Sequence, residues 1–503
     1  MRKIISASQV KLADSDCLVS ENISSHELMD RAASAFVGVF RGLVPDKNTP
    51  IIILCGTGNN GGDGLAISLL LQCDGYDDIN IVIIPTGHRQ SDDFAYNMQR
   101  VKERQISIHQ LERTSLQDFD GLGLRLTESV LIDSILGVGI NRPLDRALAE
   151  IIKMINQQCK RVVAVDLPTG FRCEGELDDD GTVLYAHEVI SFQRPKLNFF
   201  FPESAKYMEN FHVVDIGLRE AFLAELPSDY YLIDSADIEE IYNKRKSFSH
   251  KGNYGHALIY AGSAGKVGAA LIAAEACLRT GVGLATVCLP EEERHALYAR
   301  LPEAMLGSSE ELFEGVKYSA IAFGPGLGRR ASFLSDLFKK ANAPLIIDAD
   351  GLNYLSKEDT LLNALPADTV LTPHMKEFDR LFGPSENWWQ RLQLARRNAQ
   401  KFKITIVLKN RYTFIITEKG EVLINPTGNP AMAIAGMGDA LTGMLTSFIA
   451  QGYSPREACI LGCFLHGRAG DRLRLEGHAV VLPTVLLTQI PLLLGELKNV
   501  PFA

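Results

Sequence analysis

Oxygen-bearing side chains crowd a glycine-rich turn near the start of the chain. The stretch LCGTGNNGGDGLAISLL, residues 54–70, fits the G-x-G-x-x-G spacing of a dinucleotide-binding turn. The three glycine positions are taken by Gly56, Gly58 and Gly61. However, Asn59, Asn60 and Asp63 place oxygen atoms where a pyrophosphate needs free N–H groups, and a carboxylate at a helix start repels phosphates. Such oxygens suit a hard cation or a sugar-like ligand, so the motif alone does not indicate hydride transfer.

A second glycine-rich turn, Gly436-Met437-Gly438-Asp439, opens an apolar helical stretch near the end of the chain. A helix N-terminus built of glycines offers free N–H groups and a positive dipole end, which together favour a phosphate. Asp439 beside that phosphate could take a proton from an attacking hydroxyl, as phosphoryl transfer requires. The alternative is that Asp439 only caps the helix. The sequence has no G-x-x-x-x-G-K-[ST] loop, so this chemistry belongs to a fold other than the P-loop fold.

Apolar strand-like runs alternate with helical stretches in both halves, which is the pattern of parallel α/β sheets. In the first half, the clearest predicted strands lie in residues 50–55, 79–85, 129–137 and 161–170. In the second half, they lie in residues 256–262, 283–290, 319–328, 343–353, 368–378 and 404–410. Ligands gather outside the carboxyl ends of such strands. We therefore expect residues 59–63, Asp133 and Asp166 to converge.

The chain is too long for one ordinary core, since it has 503 residues. The alternating pattern lapses between about Leu218 and Tyr230, and we predict two domains, residues 1–220 and 228–503.

A formal net charge of −10 argues against a nucleic-acid or anionic-membrane binder. Nine cysteines without a C-x-x-C pair indicate reduced thiols in a cytoplasmic protein. The apolar run at residues 479–497 contains two prolines, which favours a buried pair of short helices over a membrane span.

Across nearly its whole length the sequence resembles the bifunctional NAD(P)H-hydrate repair enzymes. The first half is similar to their epimerase domain through GTGNNGGDG, IDSILGVGINRPL and AVDLPTGF. The second half is similar to their dehydratase domain through GSAGKVGAA, GPGLG, DADGLN, LTPHMKEF and TGNPAMAIAGMGDALTG. The resemblance implies a Rossmann-like three-layer sandwich followed by a ribokinase-like α/β domain. It also implies that one half interconverts the R and S hydrates and that the other dehydrates the S form.

For the first half, the resemblance implies a potassium ion held by Asn60, Asp133 and Thr169, where the family usually has serine in place of the threonine. Asp166 would be the acid/base of epimerisation, a role for which the alternative is a structural carboxylate that caps the next turn. The implied substrate contacts are Asn59, Asn60, Gly61, Gly62, Asp63, Gly137, Val138, Gly139, Ile140, Asn141, Arg142, Pro143 and Asp166.

For the second half, the resemblance implies that a nucleotide phosphorylates the C6 hydroxyl, so that phosphate departs in place of hydroxide. Asp439 would be the base on that hydroxyl, and residues 436–438 would form the anion hole. The implied contacts to the hydrate are Ala269, Gly326, His374 and Asp439. The implied nucleotide contacts are Lys409, Asn410, Arg411, Tyr412, Thr413 and Gly438. A magnesium ion is expected on the phosphates, and the sequence leaves ADP and ATP both open as the donor.

The dehydratase loops depart from the family pattern at five positions where glycine or another small residue is usual. These positions are Met375, Lys376, Asn410, Ala431 and Ala435. If left-handed backbone is needed there, a residue other than glycine costs roughly 1 kcal/mol or more. Two alternatives therefore stay open: a ribokinase-like small-molecule kinase with a nucleotide-sensing first domain, and a protein in which one half is a non-catalytic binding module. The expected partners are NAD(P)H hydrates, ADP or ATP and a second copy of the chain, without nucleic acid or membrane.

Overall fold

The computed structural model of the protein describes residues 1–87, 89–139, 143–177, 181–308, 317–341 and 343–497. The chain forms two compact units, with the main division between Ser228 and Asp229. The N-terminal unit comprises Lys3–Ser228 with Asn387–Trp389, and the C-terminal unit comprises the remainder. No helix in the described ranges is both long enough and apolar enough to cross a membrane.

The regular elements are as follows in chain order. The strands are β1 (Arg2–Lys3), β2 (Ile51–Cys55), β3 (Ile79–Ile83), β4 (Ser107–Gln110), β5 (Val130–Ser134), β6 (Val162–Val165), β7 (Ala186–Phe192), β8 (Met208–Val214), β9 (Tyr230–Leu232), β10 (His256–Tyr260), β11 (Leu284–Cys288), β12 (Met305–Leu306), β13 (Ala320–Phe323), β14 (Leu345–Ile347), β15 (Val370–Leu371), β16 (Thr405–Leu408), β17 (Thr413–Ile416) and β18 (Val422–Asn425). The α-helices are α1 (Ala7–Glu21), α2 (Ser25–Leu43), α3 (Asn59–Cys73), α4 (Asp92–Glu103), α5 (Leu116–Asp120), α6 (Arg146–Gln158), α7 (Glu220–Glu225), α8 (Ser235–Ile241), α9 (Val267–Arg279), α10 (Arg294–Arg300), α11 (Leu334–Lys340), α12 (Asp350–Leu355), α13 (Asp359–Asn363), α14 (Met375–Phe382), α15 (Trp388–Phe402), α16 (Met437–Ala450), α17 (Pro455–Leu475) and α18 (Pro483–Glu496).

The N-terminal unit is a three-layer sandwich around a seven-stranded parallel sheet. The strand order is β4-β3-β2-β5-β6-β7-β8, and every neighbouring pair is parallel. One core packs α2, α3 and α4 on one face of the sheet, and a second core packs α5 and α6 on the other. The central strands are buried along their whole length, as expected when helices cover both faces. The predicted fold class of this half is confirmed.

The glycines of the first turn are needed for close backbone packing. A Cβ atom at Gly61 would lie 1.8 Å from the carbonyl oxygen of Gly56, and one at Gly56 would lie 2.0 Å from the carbonyl oxygen of Ile135. These contacts let the first turn of α3 fold back over the end of β2, while Gly56 N–H donates to the Ser134 carbonyl at 3.1 Å. Gly58, the middle glycine of the motif, precedes α3 with open space beside it. The glycine spacing is therefore explained by strand-to-helix packing.

The C-terminal unit is built on an eleven-stranded mixed sheet. The strand order is β1-β9-β18-β17-β16-β15-β14-β13-β10-β11-β12. The block from β10 to β16 is parallel, whereas β17 runs antiparallel to both of its neighbours. One face of this sheet packs on a core that draws side chains from α9, α16, α17 and α18. The predicted parallel α/β arrangement of this half is confirmed, with β17 as its antiparallel exception.

The apolar C-terminal run forms one helix, so the predicted pair of short helices is wrong. Helix α18 runs without a break through Pro491, which removes a single backbone donor from the middle of the helix. Pro483 begins the helix, where a missing N–H group has no consequence. Leu486, Ile490 and Leu493 stand on the buried side before and beyond the internal proline. Packing of this face holds both parts of the helix on the core and overrides the local proline signal.

We expect Gly61→Ala to lower the free energy of unfolding of the N-terminal unit by about 2–3 kcal/mol, because the new methyl group would overlap backbone that cannot move cheaply. Gly38→Ala is the matched control, since Gly38 is exposed in the middle of α2 with nothing within 4 Å of the new atom. That change should stabilise the unit by about 0.5–1 kcal/mol. Urea denaturation of both variants checks the pair, and equal effects would contradict the packing account.

Candidate active sites

The carboxyl ends of β2, β5 and β6 open onto one cavity of about 870 Å³ in the N-terminal unit. Among the predicted substrate contacts, those that line this cavity are Asn59, Asn60, Asp63, Gly137, Val138, Gly139, Pro143 and Asp166. Gly61 and Gly62 are buried in the first turn of α3 and do not line it. Ile140, Asn141 and Arg142 lie outside the described residues. The structure thus brings together residues that are separated by more than a hundred positions in the sequence.

Asp133 and Thr169 lie beneath the cavity, and both are fully buried. The Thr169 hydroxyl donates to Asp133 Oδ1 at 2.7 Å, and the Thr169 N–H donates to Oδ2 at 2.7 Å. Burial raises the pKa of Asp133 to about 6, although these hydrogen bonds oppose the shift. The partners of this carboxylate among the described residues are neutral donors, so it has no cation beside it. A buried carboxylate in such surroundings favours a positively charged ligand.

Asn60 stands at the start of α3, next to the loop that follows β5. The Ser134 hydroxyl donates a short hydrogen bond to the Asn60 carbonyl. A Cβ atom at Gly137 would lie 3.1 Å from Asn60 Oδ1, so the amide lies against a residue that has no side chain. Asn60 Nδ2 is buried without a hydrogen-bond partner among the described residues. An unpaired buried amide nitrogen is costly, and it indicates that a ligand atom completes this part of the site.

Asp166 occupies a strained position at the end of β6. Its φ angle is +61°, which is uncommon for a residue other than glycine. Its Oδ1 accepts hydrogen bonds from the Ser191 hydroxyl at 2.9 Å and the Phe192 N–H at 3.1 Å, and it pairs with Lys196 Nζ at 2.9 Å. No described residue donates to Oδ2. One oxygen is therefore held by three donors while the other remains available to a ligand in the cavity.

The second site lies at the carboxyl ends of the parallel strands in the C-terminal unit. Asp439 lies in the first turn of α16. The helix begins directly after Gly436, whose φ of +93° suits the tight entry into the helix. Burial, and then the nearby Asp348 carboxylate, raise the pKa of Asp439 to about 7, with Lys409 opposing the shift. A carboxylate with a pKa near neutrality is suited to accept a proton at physiological pH. Gly436 has no side chain to cap this helix start, so both interpretations of Asp439, as a base and as a cap, stay predictions.

Asp348 is the buried charge around which this second site is arranged. The Lys409 ammonium lies 2.8 Å from Asp348 Oδ1, and the Thr442 hydroxyl donates to Oδ2 at 2.9 Å. Burial alone would raise the pKa of Asp348, but Lys409 and the hydroxyl donors hold it below its usual value. A Cβ atom at Gly438 would lie 3.3 Å from Lys409 Nζ. The glycine turn of α16 therefore faces this ion pair directly.

The predicted hydrate contacts surround the same strand ends. Gly326 packs against Ala269, because a Cβ atom at Gly326 would lie 3.0 Å from that of Ala269. His374 forms a parallel bridge with Lys409. Its side chain also caps α14: Nδ1 accepts from the Glu377 N–H at 3.3 Å. The ring is half exposed, so the structural role of His374 leaves part of its surface free to contact a ligand.

The predicted nucleotide loop is the turn between β16 and β17. Asn410 Oδ1 accepts from the Arg411 N–H at 2.8 Å, and the Arg411 guanidinium lies 4.5 Å from the centre of the Tyr412 ring. Thr413 begins β17. Lys409 turns toward Asp348 and away from these neighbours. None of the five positions that depart from the family pattern has a positive φ, so the expected left-handed strain does not arise there.

Two family models match the chain. The model described as NAD(P)H-hydrate dehydratase matches residues 257–492, and the model described as YjeF-related protein N-terminus matches residues 25–198. A bifunctional NAD(P)H-hydrate repair enzyme from Moorella thermoacetica is 31% identical, over 97% of this chain and 95% of the relative. The chain belongs to the family of bifunctional NAD(P)H-hydrate repair enzymes. A member of this family from Thermofilum pendens is 30% identical, over 99% of this chain and 97% of the relative.

A ribokinase-like superfamily protein from Enterococcus faecalis has a solved structure that is similar to the C-terminal unit. It is 32% identical and superposes with a TM-score of 0.50, covering 54% of this chain and 97% of its own. The ribokinase-like prediction for the second half is confirmed. Membership of the repair-enzyme family also confirms the resemblance and the prediction of an enzyme that combines an isomerase with a lyase. It favours hydrate repair over the alternative of a small-molecule kinase.

Several residues of these sites were not singled out by the sequence. Lys196, which pairs with Asp166, follows a proline in an otherwise irregular stretch, where no spacing marks it. Asp14 lines the first cavity from α1, a helix that carries no motif. Asp348 lies within the predicted strand segment 343–353, where the sequence left open whether it orients substrate or water or only holds the turn, and it was not assigned to the site. Each of these side chains reaches its site through tertiary packing.

We expect Lys409→Met to lower the free energy of unfolding of the C-terminal unit by about 3 kcal/mol at neutral pH, because the buried Asp348 carboxylate loses its cation. In the wild type the depressed pKa of Asp348 stabilises the fold above about pH 4, and this contribution is lost as the pH falls through the native pKa. The deficit of the variant should therefore shrink on acidification.

Urea denaturation at neutral pH and near pH 3 measures this deficit. Lys419→Met is the matched control, since Lys419 is an exposed lysine and its removal should change the free energy of unfolding by less than about 0.5 kcal/mol. A deficit that stays constant across this pH range would show that the lysine stabilises the unit by packing alone.

Proposed function

We propose that residues 1–220 interconvert the R and S forms of NAD(P)H hydrate and that residues 228–503 dehydrate the S form with a phosphoryl donor. The observation that carries this proposal is that each unit holds an aspartate suited to proton transfer: Asp166 follows β6 and lines the cavity, and Asp439 lies in the first turn of α16, near Asp348 and Lys409. Family membership supports the pairing of the two activities in one chain. The substrates are expected to be small molecules in both sites.

Epimerisation requires a proton to leave the C6 hydroxyl while the ring opens and to return after it closes. Asp166 Oδ2 is available for this transfer, because the three donors described above bind Oδ1. The oxygens of Asn59, Asn60 and Asp63 would bind polar groups of the nucleotide, and Gly137, Val138, Gly139 and Pro143, which line the same cavity, would contact it as well. The lysine beside Asp166 would keep the carboxylate oriented through repeated proton transfers.

A potassium ion fits beneath this cavity. Asp133 supplies a fully buried carboxylate without a neighbouring cation, and Thr169 Oγ1 accepts from the Leu136 N–H at 3.1 Å, which leaves a second lone pair. The Asn60 amide, at the start of α3, lies against Gly137 of the loop after β5, and its nitrogen is unpaired among the described residues. These oxygen donors suit a hard cation. The ion would supply fixed positive charge next to the bound substrate.

In the second unit, the chemical difficulty is that hydroxide is a poor leaving group. Phosphoryl transfer to the C6 hydroxyl makes phosphate the leaving group, and its departure restores the reduced nicotinamide. Asp439 would take the hydroxyl proton, and the N–H groups at the start of α16 would stabilise the transferring phosphoryl group. Ala269, Gly326 and His374 would hold the hydrate against this turn. Asp348 would hold Lys409 beside the same group.

The nucleotide would bind over residues 409–413 and Gly438, with ADP and ATP both possible donors. A magnesium ion would accompany the phosphates and neutralise part of their charge. The residues that the structure describes contain no group of three or more His, Cys, Asp or Glu side chains arranged to hold a metal ion.

All nine cysteines are free thiols, which supports a reducing compartment such as the cytoplasm. Self-association remains a prediction.

Asp166→Asn and Asp439→Asn should separate the two activities. We expect Asp166→Asn to slow interconversion of the R and S hydrates by about 10²–10⁴-fold while dehydration of the pure S form continues. Asp439→Asn should have the opposite pattern, since Asp166 and Asp439 belong to different units. Recovery of absorbance at 340 nm with ADP or ATP measures dehydration, and chromatography of the epimers measures interconversion. Each variant serves as the folding control for the other. A variant that keeps both rates would indicate that the corresponding half is a non-catalytic binding module.

Replacement of potassium by a large organic cation should lower the epimerisation rate and leave dehydration at its full rate. We expect Thr169→Ala to lower the affinity for potassium by at least about tenfold, because Asp133 loses the hydroxyl that orients it. Thr169→Ser is the matched control, since it keeps the oxygen and should keep the wild-type dependence. Titration of the epimerisation rate with potassium provides the measurement. Identical titrations for the alanine and serine variants would remove Thr169 from the ion site.

A further inference from the structure

The N-terminal cavity contains a second carboxyl group that the proposed function does not use. Asp14 lies in the middle of α1, and it lines the same cavity as Asp166 and Lys196. Asp14 is partly buried, whereas its helix neighbours Leu12 and Ser15 are exposed. The carboxyl group therefore projects from a surface helix toward the wall that holds the acid/base of epimerisation.

The two carboxyl groups have opposite surroundings. One oxygen of Asp166 is bound by a hydroxyl, a backbone N–H group and the Lys196 ammonium. By contrast, no hydrogen bond or ion pair joins the Asp14 carboxyl to any described residue. Besides Asp166 and Lys196, the ionisable groups that interact electrostatically with Asp14 in this part of the chain are Asp63 and Cys17. Neither of these groups carries a positive charge that would stabilise an ionised Asp14.

This environment favours the neutral acid at Asp14. Burial, and then the nearby Asp166 carboxylate, raise the pKa of Asp14 to about 6, and Lys196 only partly opposes the shift. Burial and the same carboxylate also raise the pKa of Asp63, so Asp63 adds little negative charge to the cavity. Two neighbouring carboxyl groups in such different surroundings are a common basis for dividing the roles of base and acid.

Epimerisation through ring opening needs two proton transfers at different atoms. As the C6 hydroxyl loses its proton, its oxygen becomes a carbonyl, the bond from C6 to N1 breaks, and the electron pair goes to N1. N1 then needs a proton to become a neutral enamine nitrogen. Rotation of the aldehyde about its single bond exposes the other face, and re-closure returns both protons. Atoms and charge balance with one base and one acid, and no other reactant is consumed.

We propose that Asp14 is the acid that protonates N1 while Asp166 accepts the hydroxyl proton. The inference rests on the proposed epimerase function, and it assigns the second proton-transfer group of that reaction. Asp166 Oδ2 takes the proton because its partner oxygen is held by three donors. Asp14 supplies the other proton from α1, which lines the same cavity, and the two groups exchange these roles when the ring closes.

The test compares Asp14→Asn with Asp16→Asn. Asp16 lies on the same helix and pairs with Arg219 outside the cavity, so it is a matched control. Starting from pure S hydrate without nucleotide, we expect Asp14→Asn to lower kcat for epimerisation by about 100-fold or more with little change in KM. Asp16→Asn should keep the wild-type rate. The wild-type kcat should fall as the pH rises through the pKa of Asp14, and this dependence should vanish in Asp14→Asn.

The outcomes separate this inference from the function on which it rests. A wild-type enzyme that leaves pure S hydrate unchanged refutes the epimerase function itself. A wild-type enzyme that epimerises, beside an Asp14→Asn variant with the same kcat and pH profile, overturns the role of Asp14 alone. A change in KM without a change in kcat also overturns it, because it would indicate binding. If Asp14→Asn lowers Tm, Asp14→Glu decides: it keeps the acid, so it should restore the pH dependence, and a flat profile overturns the proposal.

Discussion

Both units depend on the burial of aspartate carboxylates at the carboxyl ends of parallel strands. A buried charge is stable only where donors or counter-charges replace its water. Asp348 meets this requirement through Lys409 and Thr442, and Asp166 meets it through Lys196 and two further donors. Asp133 has only neutral donors among the described residues, which explains why a cation suits its surroundings. The neighbouring loops are placed where they can supply these donors and counter-charges.

The charges around the two proposed acid/base carboxylates, Asp166 and Asp439, differ between the units. Asp166 lies against an ammonium group that orients one oxygen and leaves the other available. Asp439 lies near a second carboxylate, Asp348, and its pKa is shifted to about 7 by burial and by that charge. The first arrangement suits repeated transfer of a proton to and from a substrate. The second suits a single proton acceptor beside a helix end that binds phosphate.

Glycine serves the two turns in different ways. In the first turn, Gly56 and Gly61 allow the backbone of α3 to approach the sheet more closely than any side chain permits. In the second, Gly436 supplies the left-handed entry to α16, and Gly438 leaves room beside Lys409. The positions where this chain replaces the usual glycines of its family have ordinary backbone angles. Those replacements therefore impose no backbone strain on the dehydratase loops.

The sequence by itself determined the alternation of strands and helices, the family, the strand-end positions of Asp133 and Asp166, and the helix-start position of Asp439. Hydrophobic periodicity and motif order are local signals, and strand ends follow directly from them. Tertiary structure alone decided that Lys196 pairs with Asp166 and that Asp14 faces the same cavity, since neither residue belongs to a motif. It also decided that α18 continues through Pro491, because packing outweighed one missing hydrogen bond. Local pattern fixes which side chains are available, whereas the distances between charges depend on contacts that join remote parts of the chain.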